Sequence, residues 1–491
     1  MRELTEQEIV RRDKIKTISQ VCNPYPERYE ITHSLKEASN LEDDTNNVKV
    51  AGRIVFMRKM GKLSFIKIRD FESDLQISIK IDLVGDEKYQ FFKENFDIGD
   101  FIGAEGQMFT THTGEKTLRA EKFEFLGKAL KPLPEKFHGL TDPELCYRHR
   151  YVDLIMNEET RKRFLIRIKF IRELRNYLDN LGYYEIETPI LNNKASGALA
   201  KPFIAHHNAL DLDVYLRIAP ETYMKRAIVG GMTKIYEVAR CFRNEGMDAT
   251  HLQDFTMVEA YQAYYNYQDN MKLIQNMIQT IIQNIFGTLK VQVGDKIVDL
   301  SGEFKTVTFR EIIIKYANID IKEYNTKEKL LAKILEEKIE LESETPIENL
   351  GFGNLVDYLY KKVARPHMIG PVYLTEHPTS LSPLARSNDN NKEITDRFQL
   401  VINGAEIVNG FSELVDPAEQ EKRLLEQAKL KEAGDEEAME MDYDYINAME
   451  YGMPPISGWG MGVDRLVQLL TNSDNIKDVV LFPLMRPLDK E

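Results

Sequence analysis

A chain of 491 residues exceeds what one compact core serves, so two or more domains are expected. Its 43% hydrophobic and 29% charged content is that of a soluble globular protein; no apolar run is long enough to span a bilayer, and the charged start MRELTEQEIVRRDKIK lacks the apolar segment of a secretory signal. The net charge of −14 excludes wholesale wrapping of nucleic acid, and three scattered cysteines (Cys22, Cys146, Cys241) make neither a disulfide framework nor a zinc pattern, which suits a reducing cytoplasm.

Residues 1–46 read as a polar, helical extension with a turn at Asn23-Pro24-Tyr25-Pro26. From residue 48 the hydrophobic period becomes two: VKVAGRIVFM, KLSFIKIRD and DLQISIKID are alternating strands. The amphipathic helix GDEKYQFFKENF follows, then the strands DFIGAEGQMFT and TLRAEKFEFLG. Three strands, a helix and two strands over residues 47–130 spell an OB-type Greek-key barrel, whose open face suits single-stranded oligonucleotides. Charge supports that use. Lys49 to Arg69 holds seven basic residues and no acidic one, whereas Glu413 to Asp444 holds twelve acidic against four basic.

The Pro- and Gly-containing stretch at 131–152 reads as a linker, and residues 153–491 as a larger domain. A helix from Glu158 to about Leu181 opens it, with Ile168, Ile171, Leu174, Leu178 and Leu181 on one face and Gly182 as the stop. YYEIETPIL reads as a strand ending at Pro189. Beyond it, strands and helices mix without βαβ alternation, which predicts an α+β domain: an antiparallel sheet flanked by helices. Residues 305–365 read as charged and mostly helical, an insertion or a peripheral subregion.

Four segments carry chemistry. In SGALAKPFIAHHNALDLDVYLRIAPETYMKR, Glu221 follows Pro220 at a helix start, where a carboxylate also serves as a cap, and His206-His207 point to opposite faces of a strand and are structural. CFRNEGMDATHLQDFTMVEAY gathers Arg243, Glu245, His251, Phe255, Glu259 and Tyr261 with little periodicity. RFQLVINGAEIVNGFSELVDP sets Glu406, Asn409, Phe411 and Glu413 beside a possible hairpin at Asn403-Gly404; its carboxylates suit a hard cation or an ammonium. In GWGMGVDRLVQLL, Gly458, Gly460 and Gly462 share one strand face, which either packs under a helix or lets a flat ligand lie on backbone. No phosphate loop of the GxGxxG or GxxxxGK type is present.

Together these segments resemble class II aminoacyl-tRNA synthetases, and within them the lysyl-tRNA synthetases. The helix and strand ending at Pro189 look like motif 1, FRNEG with His251 and Phe255 like motif 2, and GMGVDR like motif 3; the barrel, RYVDL and FPLMRP also look lysyl-type. The class I signatures HIGH and KMSKS are absent. The resemblance implies ATP-dependent activation of L-lysine to lysyl-adenylate and its transfer to tRNA(Lys), with Mg²⁺, in a cytoplasmic homodimer joined through the motif 1 helix and strand, without a membrane. It implies Arg243 and Arg465 as catalytic clamps on ATP, and Glu245, His251 and Phe255 as further ATP contacts. It assigns Gly197, Glu221, Glu259, Tyr261, Asn409, Phe411 and Glu413 to lysine, Phe65, Gln76 and Glu115 to the anticodon, and Glu406 with Gln399 to the metal.

The chain departs from the family pattern at Thr250 (usually Arg), at Leu252-Gln253-Asp254 (usually Asn-Pro-Glu), at Trp459 (usually small and aliphatic) and at Gln399 (usually a carboxylate). Alternatives are a paralogue that aminoacylates a protein such as elongation factor P, and a non-catalytic RNA-binding homologue.

Overall fold

The computed structural model describes residues 3–134, 140–198, 200–341, 347, 350–432 and 438–488; residues 135–139 of the expected linker and 342–346 and 348–349 of the expected insertion lie outside these. The chain divides into two compact units, Met1–Leu165 with Leu484–Glu491, and Ile166–Pro483.

In the first unit, helix α1 (Glu6–Val21) precedes five strands, β1 (Val48–Met60), β2 (Leu63–Arg69), β3 (Asp74–Lys80), β4 (Phe101–Thr110) and β5 (Lys116–Gly127), closed in the order β1-β2-β3-β5-β4. The expected alternation is realised: Ile66, Ile68, Ile77 and Ile79 point inward beside Val48, Val50 and Ile102. Helix α2 (Asp86–Asn95) plugs one end with Tyr89 and Phe92, and Phe92, Phe96 and Phe123 meet at tilted and edge-on angles. Closure needs a bulge between Glu105 and Gly106, where a Cβ would stand 1.9 Å from the Arg119 carbonyl oxygen.

Helix α3 (Glu158–Asn180) spans the division between the units. The main strands of the second unit are β6 (Tyr184–Glu185), β7 (Lys234–Phe242), β8 (Asp254–Ala263), β9 (Lys305–Thr308), β10 (Val372–Thr375), β11 (Arg397–Ile402), β12 (Ala405–Ser412) and β13 (Ile456–Gly462). They form one sheet, ordered β9-β10-β11-β12-β13-β8-β7-β6, antiparallel except at its two outermost pairs. Its two faces do different jobs. One carries Val258, Ala260, Phe398, Leu400, Val408, Trp459 and Met461 into a core shared with α3 and with helix α5 (Tyr267–Phe286), which follows α4 (Glu221–Val229). The period of two then sends Met257, Glu259, Tyr261, Asn409, Phe411 and Gly458 to the other face. The β11–β12 turn is Asn403-Gly404, both at positive φ (49° and 73°), as a type I′ hairpin requires.

Three expectations are corrected. The buried stripe of α3 within this unit runs through Phe170, Leu174 and Leu178, while Ile168 (47%) and Leu181 (42%) are exposed. The strand expected to reach Pro189 pairs only at Tyr184–Glu185, because Thr188 turns its N–H and hydroxyl to the Glu237 carboxylate and proline has no N–H to continue. Residues 305–365 are not peripheral. β9 is an edge of the main sheet, and helix α6 (Phe352–Val363) lines its working cavity. His206 sits on a separate exposed strand (Ile204–His207), its ring nitrogen 3.1 Å from Asp213.

Candidate active site

A cavity of about 410 Å³ opens on the working face of the second unit, lined by every residue expected to touch lysine, ATP or metal: Gly197, Glu221, Arg243, Glu245, His251, Phe255, Glu259, Tyr261, Gln399, Glu406, Asn409, Phe411, Glu413 and Arg465. Sequence neighbours on β8 and β12 arrive together because the sheet order sets both strands beside β13. The glycine alternation on β13 has a steric cause. A Cβ on Gly458 would stand 2.3 Å from the Tyr261 ring and 2.6 Å from a Glu413 oxygen, and one on Gly460 would stand 3.1 Å from Met257. The bare backbone makes the room. Gly197 adopts φ +91°, with its Cβ position 3.1 Å from that of Glu221.

One end of the cavity is acidic. Glu221 (6% exposed), Glu259 (4%) and Glu413 (2%) converge there from α4, from β8 and from the residue just after β12. The Tyr261 hydroxyl donates to Glu259 at 2.9 Å. Burial, and then the Glu221 charge, push Glu259 up to about 8, against the pull of Tyr261, Lys225 and Arg243. Sequence reasoning missed Lys225: fully buried on α4, it lies 2.5 Å from Glu221 and in ion-pair contact with Glu413. Its spacing of four from Glu221 was the available signal.

The other end is cationic and aromatic. Arg243 leaves the end of β7, its guanidinium carbon 5.1 Å from the Phe255 ring centroid, and its buried Nε has no hydrogen-bond partner. Arg465, in the first turn of helix α7 (Val463–Leu470), donates to the Glu406 main-chain oxygen at 2.9 Å. Burial lowers its pKa, Glu406 opposes the shift and Arg243 adds to it. Two guanidiniums crowded in one cavity call for an anion between them. A residue not singled out from sequence anchors this end: Asp464 accepts from Arg167 of α3 at 2.5 Å and from the Thr256 N–H at 2.7 Å.

Glu245 and His251 lie on the exposed loop between β7 and β8. The His251 ring nitrogen meets Asp248 at 2.9 Å. Against its own partial burial, Asp248 is drawn down to about 2 by the Thr250 N–H, by His251 and by the Thr250 hydroxyl. Thr250 therefore serves a carboxylate where the family usually has a cation. Asn409 accepts from Arg397 at 2.9 Å, and Arg397, Asp357 and Lys361 line the cavity without having been foreseen. Trp459 turns into the core, with a buried indole N–H left unpaired.

Gln399 donates its amide N–H to Glu406 at 3.0 Å, so the two are brought together. Among the described residues no group of three or more His, Cys, Asp or Glu side chains is arranged around a metal. One carboxylate and one amide oxygen still fit an ion such as Mg²⁺, which draws its remaining ligands from phosphates and water.

The barrel has its own candidate surface. Phe65 and Lys67 point outward from β2, and Gln76 lies opposite Lys67 on β3. Gln76 donates to the Thr117 hydroxyl at 2.9 Å, while exposed Glu115 pairs with Lys67 at 3.2 Å. The three expected anticodon contacts thus share one outer face.

Comparison with known proteins agrees with this geometry. Residues 142–486 match the family described as tRNA synthetases class II (D, K and N), and residues 48–126 match the OB-fold nucleic acid binding domain. The lysine–tRNA ligase of Thermosipho africanus is 44% identical over 500 aligned residues, covering 100% of this chain and 97% of the relative. Those of Bacillus cytotoxicus (44% identical; 99% of this chain, 98% of the relative) and Pelotomaculum thermopropionicum (45%; 99% and 96%) are similar along equally complete lengths.

Proposed function

We propose, since the chain belongs to the class II tRNA synthetases and within them to the lysine–tRNA ligases, that its cavity activates L-lysine with ATP and passes it to the 3′ end of tRNA(Lys). The observation that carries the assignment of ends is the polarity of one cavity: three buried carboxylates at one end and two guanidiniums with an aromatic face at the other. An ammonium on a four-carbon stem suits the first, and a nucleotide the second. Relatives that match along the whole chain, barrel included, support tRNA lysylation and lend nothing to a protein acceptor or an inactive homologue.

The resemblance sets Glu221 with Glu259 on the side-chain ammonium; in this reading Glu221, beside Gly197, receives the α-amino group instead, Glu259 with Tyr261 receives the side-chain ammonium, and Phe411 and Asn409 flank the stem. Arg243 holds the lysine carboxylate and the α-phosphate, so a carboxylate oxygen is aligned to bond phosphorus as the bond to pyrophosphate breaks. Arg465 neutralises charge from the far side. Phe255 stacks adenine, Glu245 reads its amino group, and His251, released from Asp248, reaches the tail phosphates. The tRNA terminal hydroxyl then attacks the lysyl carbonyl and AMP departs. Glu406, with Gln399, would hold Mg²⁺, which supplies charge neutralisation on the phosphates.

Phe65, Gln76 and Glu115 read the anticodon by stacking and by hydrogen bonds to base edges. The chain is a homodimer: Ile168, Leu181, Tyr184, Ile190 and Leu191 leave apolar surface exposed on and beside the motif 1 helix. It works in the cytoplasm, consistent with three free cysteines and with the fact that no described helix is long and apolar enough to cross a membrane. Lysine-dependent ATP–pyrophosphate exchange followed by charging of tRNA(Lys) tests the core of this reading; exchange driven better by another amino acid would overturn it.

A further inference from the structure

The acidic end of the cavity contains a lysine of the protein itself. Lys225 lies one helical turn beyond Glu221 on α4, fully buried, with its Nζ 2.5 Å from Glu221, in contact with Glu413, and 5.4 and 5.9 Å from the rings of Phe411 and Tyr445. Burial alone would depress this ammonium, but Glu221 and Glu413 outweigh it and hold its pKa well above the usual value, so it is a fixed positive charge. Glu413 depends on it. Both Glu413 oxygens are buried without a well-formed hydrogen bond, and Lys225 is the cation in contact with one of them, Oε2. Glu259 differs: it accepts from Tyr261 and has no ion-pair partner among the described residues.

A charge count gives these contacts a meaning. With all three carboxylates ionised, as a bound lysine requires, one ammonium leaves two negative charges at this buried end of the cavity, and free lysine brings two ammonium groups. Without Lys225 the site would hold a third charge that the substrate cannot balance, and an uncompensated buried charge costs far more than an exposed one. We infer that Lys225 is a positioning residue of the amino-acid pocket, a built-in counter-ion that holds Glu221 and Glu413 in place and leaves Glu259 as the carboxylate offered to the side-chain ammonium of the substrate.

This rests on lysine being the amino acid activated. If the unaltered chain shows no lysine-dependent exchange, that reading fails before any variant is compared. The test is a double-mutant cycle in the full chain: Lys225→Met, Glu413→Gln and the double variant, each assayed for the lysine and ATP KM in pyrophosphate exchange and for melting temperature. Each single change should raise the lysine KM by about 30-fold or more, with the ATP KM within about threefold, because each alters the pocket's charge. The double variant restores the parent's net charge, so its lysine KM should fall at least about tenfold below that of Glu413→Gln. A double variant that is folded yet binds lysine no better than Glu413→Gln would overturn the inference, as would one that melts no higher than Lys225→Met. Should Lys225→Met alone fail to fold, the double variant against Glu413→Gln still decides.

Discussion

Glutamates serve both working surfaces of this molecule and are held in opposite ways. On the barrel, Glu115 pairs with Lys67 while their side chains stay 47% and 37% exposed. In the cavity, Glu221, Glu259 and Glu413 are all less than a tenth exposed, and two of them, Glu221 and Glu413, meet a lysine with no exposure at all. Water screens the first pair, whose net worth is at most about 1 kcal/mol. The second group has lost that screening, so charge there must be balanced residue by residue. In the proposed function the barrel face would therefore read a partner by many weak contacts, whereas the pocket would select by charge count.

The largest effect should come from removing the space rather than the charge. Gly458→Ala would drive a methyl group into the Tyr261 ring and a Glu413 oxygen. Overpacking of this kind costs about 1–3 kcal/mol of stability. It should cut lysine-dependent exchange by about 100-fold or more, while tRNA binding measured separately stays intact; unchanged exchange would mean the glycine face does not border the substrate.

Glu259→Gln comes next. Truncating a buried charged contact costs about 2–5 kcal/mol, so the lysine KM should rise at least about 30-fold with little change for ATP. The pH profile sharpens this. A carboxyl at about 8 when folded and near 4.5 when unfolded binds its proton more tightly in the folded chain, so the lysine-free protein should lose stability as pH rises from about 4.5 to about 8. Lysine needs the ionised form, so its KM should fall by up to about tenfold per unit as pH climbs towards 8. Melting and exchange series across pH check both slopes, and Glu259→Gln should flatten them.

The pair proposed for the metal, Gln399 and Glu406, offers an intermediate case. Gln399→Glu replaces an amide donor 3.0 Å from Glu406 with a second carboxylate. The variant should melt a few degrees lower without ligand, on the order of 1 kcal/mol of like-charge repulsion, and need less Mg²⁺ for half-maximal exchange. Glu406→Gln should do the reverse to the Mg²⁺ requirement. Parallel Mg²⁺ titrations by thermal shift and by exchange would show whether the two carboxyl positions act on one ion.

Smallest are the effects on the barrel. Phe65→Ala should weaken tRNA charging by about 1–3 kcal/mol, the worth of one stacked base, and leave exchange unchanged. Glu115→Gln should cost less still, within about 1 kcal/mol, because its ion pair is exposed. If either change lowered exchange, the contrast between the two surfaces would fail.

The barrel was legible because its strands keep period two and its interior is filled by their own isoleucines and valines, as at Ile66, Ile68, Ile77 and Ile79. The motif residues were legible because each class II segment carries several unusual residue types at fixed spacing. Other features escaped. The α3 stripe was misplaced since Ile168 and Leu181 are as apolar as Phe170 and Leu174, and hydrophobicity alone does not say which apolar residue is covered by this chain. The 305–365 segment looked peripheral because its charged helices gave no hint that α6 would border the cavity with Asp357 and Lys361. Asp464 looked like one more charge at a helix start.

What the sequence alone determined was the list of parts: an OB barrel, an antiparallel sheet with helices, and the residues that now line one cavity. Periodicity and spacing are local properties, and they survive in one dimension. Which charge neutralises which is not local. Lys225 reads as an ordinary surface lysine in ETYMKR until α4 packs against β7 and β8 and removes the water around it. At that point Coulomb interactions that water would have screened become the strongest forces in the pocket, and only the tertiary structure decides that Glu413 is already paired and Glu259 is not.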